Sequence, residues 1–216
     1  MKIELENVRP MDIEKRSFEI ITQELKESGK EIDEKLAPII KRVIHTTADF
    51  EFADLLAFSD DVVEKTMEAI KNGAIIVTDT KMAMAGINKK VIHKYGGDVY
   101  CFISDDDVAK EAKERGVTRA SVSMEKAAKM GKDVIFAIGN APTALVRLYE
   151  MINEGKVDPK LIIGVPVGFV NVVQSKELIM DTNVPYIIAK GRKGGSTIAA
   201  CICNAILYMM DETRGM

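Results

Sequence analysis

The sequence predicts an α/β fold of three layers, with helices on both faces of a mostly parallel, doubly wound sheet. Three observations predict it. From residue 54 onward, short apolar runs alternate with amphipathic segments. The segments between runs are long enough for the crossovers that parallel pairing needs. The runs themselves are almost continuously apolar, as strands covered on both faces are. They are LLAFS, AIIVTD at 74–79, DVYCFIS at 98–104, DVIFAIG at 133–139, LIIGV at 161–165 and YIIAK at 186–190.

The first part of the chain reads as helical. Phe18, Ile21 and Leu25 share one face of a helix over 12–28, and Gly29 stands where a C-cap favours glycine. Ile32, Leu36, Ile39, Ile40 and Val43 repeat that spacing, with Pro38 either kinking the helix or opening a new one in its first turn. Asp60 or Asp61 can cap a helix ending at Gly73, and Asp105 one ending at Gly116. The stretch STIAACICNAILYMM, 196–210, reads as a buried helix. With no linker, repeat or composition shift, residues 1–216 are read as one domain. Its helical segment covers about 1–50 and its sheet about 51–216.

Composition narrows the function. Thirty Lys and Arg against thirty-three Asp and Glu give a net charge of −3, so no basic excess marks a nucleic-acid surface and no basic block a membrane face. The three cysteines, Cys101, Cys201 and Cys203, form no disulfide framework and suit a reducing compartment. The charged start MKIELENVRPMDIEKRSFEI lacks an apolar signal core, and no apolar run reaches the roughly 18 residues of a membrane span. The expectation is a cytoplasmic enzyme.

In open parallel sheets, ligands bind outside the carboxyl ends of the strands. Here that edge comprises Thr78-Asp79-Thr80, Gly139-Asn140-Ala141-Pro142-Thr143, Gly164-Val165-Pro166-Val167-Gly168 and Gly191-Arg192-Lys193-Gly194-Gly195-Ser196. Small residues, hydroxyls and cations gather there, and two turns lead into helices whose free N–H groups would favour anions. Any one of these turns is also ordinary strand-to-helix chemistry; their concurrence in four places points to a ligand. There is no G-x-G-x-x-G after a strand, no phosphate loop, since the lysine of GRKGGS precedes the paired glycines, and no nucleophile elbow. The expected ligand is anionic and is not a dinucleotide.

Only two histidines are present. His45, in RVIHTTADFEF, has Thr46, Thr47 and Asp49 nearby that could fix its tautomer, although a lone histidine is more often structural than catalytic. His93 reads as a helix C-terminal histidine. Cys201 and Cys203, at i and i+2 of a helix, point apart, so no metal site is read there. The run Asp105-Asp106-Asp107 reads as a cap with a solvated face.

Together HTTADFEFADLLAF, TDTKMAMAGI, GNAPTAL, GVPVGFVNVVQSK and GRKGGSTIAACICNAI resemble, in order and spacing, the precorrin-8X / cobalt-precorrin-8 methylmutase family of cobalamin biosynthesis, from about Arg16 to about Tyr208. The resemblance implies an isomerase that moves a methyl group from C11 to C12 of a corrin precursor, giving hydrogenobyrinate or cobyrinate. It also implies a homodimer with product held in a cleft near the subunit interface, and no cofactor, any cobalt belonging to the substrate. His45 matches the family histidine that supplies or accepts a proton on ring C, and an imidazole titrating near 6.5 suits that task. Arg16, Thr46, Thr80, Arg119, Asn140, Lys176, Arg192 and Ser196 are the candidates to bind the peripheral carboxylates. The expected partners are an anionic tetrapyrrole, a second copy of the chain and neighbouring enzymes of the pathway. A non-catalytic corrinoid carrier and a hydrolase using Ser196 are the competing readings; spectral conversion of added precursor separates an enzyme from a carrier.

Overall fold

The structure is a computed structural model and describes residues 5–211. Helices α1 (Ile13–Glu27), α2 (Ala37–Thr47) and α3 (Phe52–Leu55) precede strand β1 (Leu56–Phe58). Then follow α4 (Val62–Lys71), β2 (Ile75–Thr78), α5 (Lys81–Gly86), α6 (Lys89–Lys94) and β3 (Val99–Tyr100). The remainder is α7 (Asp106–Arg115), α8 (Arg119–Ala128), β4 (Val134–Ile138), α9 (Pro142–Asn153), β5 (Leu161–Gly164), α10 (Val172–Met180), β6 (Tyr186–Ala189) and α11 (Ser196–Met209).

The six strands lie in the order β1-β6-β5-β4-β2-β3. All neighbours are parallel except β1, which runs antiparallel to β6 with Ala57 opposite Ile188. That edge strand departs from the uniform alternation of the sequence reading. The physical reason is its connection: β1 leaves α3 directly, and Leu55, expected in the strand, ends the helix instead. The other departure is β3, which keeps only Val99 and Tyr100 of the run 98–104.

Side chains of the central strands alternate between two cores, as a period of two requires. Ile76, Ile135, Ala137, Leu161, Ile163 and Ile187 pack with α1, α2, α4, α5, α6 and α11. Ile75, Val77, Val134, Phe136, Ile138, Ile162 and Ile188 pack with α8, α9 and α10. Burying each large aliphatic side chain contributes about 1.5–3 kcal/mol, so both faces of the sheet need a helical layer. The cysteine-bearing helix α11 is central to the first core, with Cys203 buried and its thiol pushed up to about 12 by desolvation. Met210 is also buried there, and Met84 and Met209, partly buried, pack against the same core.

Several helix ends follow the sequence, with local differences. Pro38 stands in the first turn of α2, as a new helix start requires. Asp61 and Asp105 occupy N-cap positions but accept no capping bond through their side chains. Asp105 and Asp107 instead hold Lys126 Nζ, at 2.8 and 2.7 Å, so the acidic run ties α7 to α8. His93 sits in the last turn of α6 and bonds Asp98 at 3.0 Å. Among the described residues no helix is long and apolar enough to cross a membrane.

The three helices α7, α8 and α9 are joined by one buried carboxylate. Glu125 accepts two bonds from Arg115, at 2.6 and 2.9 Å, and one from Arg147 Nε at 2.7 Å. The guanidinium of Arg115 is the main cause that holds the Glu125 carboxyl at about 2, against an ordinary 4.5. A carboxyl lowered by folding contributes stability that is fully present above the ordinary value and lost as pH falls through the folded one. Glu125→Gln should therefore lower stability at neutral pH by about 1.5–3 kcal/mol, the range for hydrogen bonds to charged groups. The gap from wild type, followed by urea denaturation, should close as pH falls from 4.5 toward about 2. A gap that persists at the acid end would show that the ion pairs are not its source.

Candidate active site

The four turns at the carboxyl edge of the sheet are locked to one another. The Asp79 side chain, almost completely buried at the end of β2, accepts the N–H of Gly139 at 2.9 Å and those of Asn140 and Ala141 at 2.7 Å. Burial pushes its carboxyl above the ordinary range, and the three backbone donors pull the other way. Thr80 caps α5 by accepting from Ala83 N, and its hydroxyl lies 2.8 Å from that of Ser196 at the start of α11. Gly139 is required where it stands, because a Cβ would come within 2.6 Å of Ser196 Cα. Gly195 N donates to Val165 O at 2.8 Å and Gly168 N to Arg192 O at 3.2 Å.

One cleft opens on this edge, and a second runs between α2, α5 and α11 beyond a ridge formed where the start of α5 meets the start of α11. The first, about 450 Å³, is lined by Asp79, Thr80, Lys81, Arg119, Asn140 and Thr143 among others. Arg119 and Lys81 are exposed there, as is the Asn140 side chain. The second, about 260 Å³, is lined by Arg42, Thr46, Met82, Thr197, Cys201 and Tyr208 among others. A further cleft, about 470 Å³, lies at the opposite, amino-terminal end of the strands. Its Lys156 and Lys160 are paired with Glu154, Asp158 and Asp133. Strand topology places ligands at the carboxyl edge, so the candidate site is built there.

His45 is exposed in the last turn of α2, beside the second cleft through its neighbour Thr46. The helix stops just after it because Ala48 takes a left-handed φ of 53°, a conformation that costs about 1 kcal/mol outside glycine. The imidazole stacks on Phe18 with ring centres 5.4 Å apart, and Arg42, one turn earlier, lies 5.1 Å from the same ring. The expected fixing of its tautomer is corrected by the structure. Thr46 Oγ1 lies 2.8 Å from Arg42 O and 3.1 Å from Cys201 Sγ, Thr47 donates to Val43 O, and Asp49 holds Lys193. None of the three reaches the ring. These hydroxyls satisfy the backbone of their own helix, and Asp49 is held low by the Lys193 ammonium.

Two expectations about anion binding also change. The N–H groups before α9, read as free for a ligand, are filled by Asp79. Lys176, read as a carboxylate ligand, is fully buried, and its Nζ donates to Gly191 O at 2.8 Å and Lys193 O at 3.0 Å. It supports the loop of Arg192 and Ser196 from behind. Arg16 is half-exposed on α1 and pairs with Glu6 at 2.7 Å and Glu19 at 3.6 Å. Arg192 is exposed, with its guanidinium 5.3 Å from the centre of the Phe169 ring. Thus Thr80, Arg119 and Asn140 share one cleft with Ser196 bonded to its rim, Thr46 lines the other, and Lys176 belongs to neither. The reading of the sequence missed Asp79 as a clamp and Arg42 and Lys81 as cleft walls. An acid directly after the buried strand Ile75–Thr78 was the one signal available for Asp79. No group of three or more His, Cys, Asp or Glu side chains among the described residues is arranged to hold a metal ion.

A family model for precorrin-8X methylmutase matches residues 12–209. The chain belongs to the precorrin-8X methylmutase family. Its relatives include the cobalt-precorrin-8 methylmutase of Priestia megaterium, 46% identical over 95% of this chain and 90% of that protein. The cobalt-precorrin-8 methylmutase of Salmonella typhimurium is 44% identical over 94% and 97%. The crystal structure of precorrin-8X methylmutase from Thermus thermophilus superposes with a TM-score of 0.82 at 36% identity, covering 92% of this chain and 96% of that one. The six-stranded α/β architecture is therefore that of the methylmutase family, and family membership makes the chain an isomerase of cobalamin biosynthesis.

Lys176 gives this family member a pH signature. Burial lowers its amine to about 8 from an ordinary 10.5. An amine that gives up its proton earlier when folded makes stability rise with pH between those two values. Lys176→Met should abolish that rise. Urea midpoints taken from about pH 7 to about pH 10 should shift in favour of wild type across the window. A difference that stays flat would mean the ammonium is held without penalty.

Proposed function

We propose that the protein moves a methyl group from C11 to C12 of precorrin-8 or its cobalt complex, with His45 as the proton donor and acceptor. The observation that carries this reading is the placement of His45. It is exposed in the last turn of α2, its ring nitrogens bond no other described residue, and its neighbour Thr46 lines the cleft between α2, α5 and α11. In the rearrangement the C11–CH₃ bond breaks as the C12–CH₃ bond forms. A proton that His45 delivers to ring C returns to it afterwards, so no reagent is consumed.

The same geometry supports the choice of ligand. A corrin precursor carries many acetate and propionate groups, and Arg119 and Lys81 face the larger cleft while Arg192 stands exposed on the last turn. Asn140, Thr80 and Thr46 add neutral donors around the same ridge. Arg16, already paired with two carboxylates, and Lys176, enclosed by carbonyls, act through the fold. The reaction needs no cofactor, and any cobalt arrives inside the substrate, as the names of the Priestia and Salmonella relatives describe for theirs. The protein works in the cytoplasm. Ser196 is a poor nucleophile, since its hydroxyl is bonded to Thr80 and no base is bonded to it among the described residues.

His45→Ala should keep corrinoid binding and lose turnover by at least about a hundredfold, the usual share of general acid–base catalysis. The measurement is the absorption change of the precursor at saturating concentration, with His93→Ala as a control that stays near wild type. Turnover within about tenfold of wild type would remove His45 from the mechanism.

The reading includes a homodimer. Its support in this chain is apolar surface beside the site: Phe169 is 82% exposed, Val170 78% and Met82 67%. Light scattering at micromolar concentration should give twice the chain mass of 23.8 kDa. A monomer would overturn this part of the reading.

A further inference from the structure

The Asp79 carboxylate is among the few charged groups that the fold buries, and the proton chemistry assigned to His45 does not use it. It reaches 60 to 62 residues along the chain to the turn between β4 and α9. Three successive N–H groups converge on it, from Gly139, Asn140 and Ala141, and the next residue, Pro142, has no N–H to offer. Such a concavity of backbone donors would otherwise receive an anion. Here the chain fills it with a carboxylate of its own, directly beneath the wall of the larger cleft.

That wall carries the groups facing the ligand. Asn140 is exposed into the cleft, Thr143 lines it one residue beyond Pro142, and Thr143 Oγ1 is bonded to Thr118 at 2.9 Å, next to Arg119. Gly139 is pressed on the Ser196 backbone from the other side. The turn therefore cannot shift without moving Asn140, Thr143 and the ridge to Ser196 together. Resting on the methylmutase reading, we infer that Asp79 is a positioning residue for ligand recognition. It fixes the 139–143 wall so that Asn140 and Thr143 meet the rim of the macrocycle, and it keeps ligand carboxylates out of the concavity below. They are directed instead to the side chains of Lys81 and Arg119.

A positioning role and a purely structural one leave different kinetic marks. Partial unfolding lowers the maximal rate in proportion to the protein lost and leaves KM unchanged. A displaced wall raises KM and the product dissociation constant, while kcat, set by His45 on α2, stays close to wild type. Asp79→Asn keeps the shape of the side chain but gives one oxygen where two accepted, and its amide N–H₂ then opposes a backbone donor. Asp79→Glu keeps the charge and pushes the turn outward by one methylene. For both variants we expect KM and product Kd to rise about tenfold, with kcat within about threefold of wild type.

The experiment measures turnover of the cobalt-precorrin-8 absorption band and titration of the corrinoid product, alongside circular dichroism, on wild type and both variants. If Asp79→Asn fails to fold, Asp79→Glu decides. KM and product Kd within twofold of wild type in a folded variant would overturn the inference, as would a fall in kcat at constant KM. Failure of both variants to yield soluble protein would make Asp79 a requirement for folding alone and overturn it too. Wild type that neither binds nor converts the corrinoid would overturn the methylmutase reading itself. Wild-type turnover with unaltered variants overturns the positioning role only.

Discussion

The carboxyl edge of the sheet depends on the bond between the Asp79 carboxylate and three backbone N–H groups of the next strand's turn. A buried backbone donor left unpaired costs about 1–3 kcal/mol, and this turn presents three at once. It cannot satisfy them by continuing a helix, because Pro142 opens α9 and the preceding residues lie outside it. Water in an open cleft would satisfy them only while the cleft stood empty. A carboxylate from the neighbouring strand solves the problem permanently, and the donors in turn offset the desolvation of its charge. From that one contact follow the tight packing of Gly139 on Ser196, the Thr80–Ser196 bond and the ridge between the two clefts.

Lys176 does for the last turn what Asp79 does for the middle one, with the opposite sign. Its ammonium satisfies the carbonyls of Gly191 and Lys193, which point inward so that Arg192 can point outward. Lys193 then ties the same loop to Asp49 and, at 2.8 Å, to Glu51, in the segment that follows His45. The loop is thus held from beneath and from its flank. Two buried charges shape the edge, while Lys81, Arg119 and Arg192 stand exposed on it. On the proposed reading, this division lets the edge meet a polyanion although the chain as a whole is slightly acidic. Recognition depends on where a few cations are displayed and not on net charge.

His45 stands apart from these networks. The polar neighbours that its sequence context offers are consumed by their own helix, by Cys201 and by Lys193. Its ring is oriented by an apolar face, Phe18 of α1, which also supports Arg42 one turn away. Stacking fixes the plane of an imidazole without engaging either nitrogen, which is compatible with the proton exchange proposed for it.

What the sequence determined by itself is what repeats locally. The apolar runs of β2, β4, β5 and β6, the helix start at Pro38 and the buried helix from Ser196 all follow from a side chain and its near neighbours, whereas the working caps, Thr80 and Thr118, are not among those read from the sequence. The motifs around His45 and the four turns also stood in plain view, and with them the edge that carries the site. Only the tertiary structure decided which polar groups face a ligand and which face the chain. Asp79 meets its partners 60 to 62 residues away, Lys176 15 and 17 residues away, and Asp49 meets Lys193 across 144. A buried charge takes whichever partner the packing brings within about 3 Å, and that choice is not written in the spacing of any one segment. For the same reason Lys176 reads in the sequence as a hand for the substrate and proves in the fold to be a support for the loop.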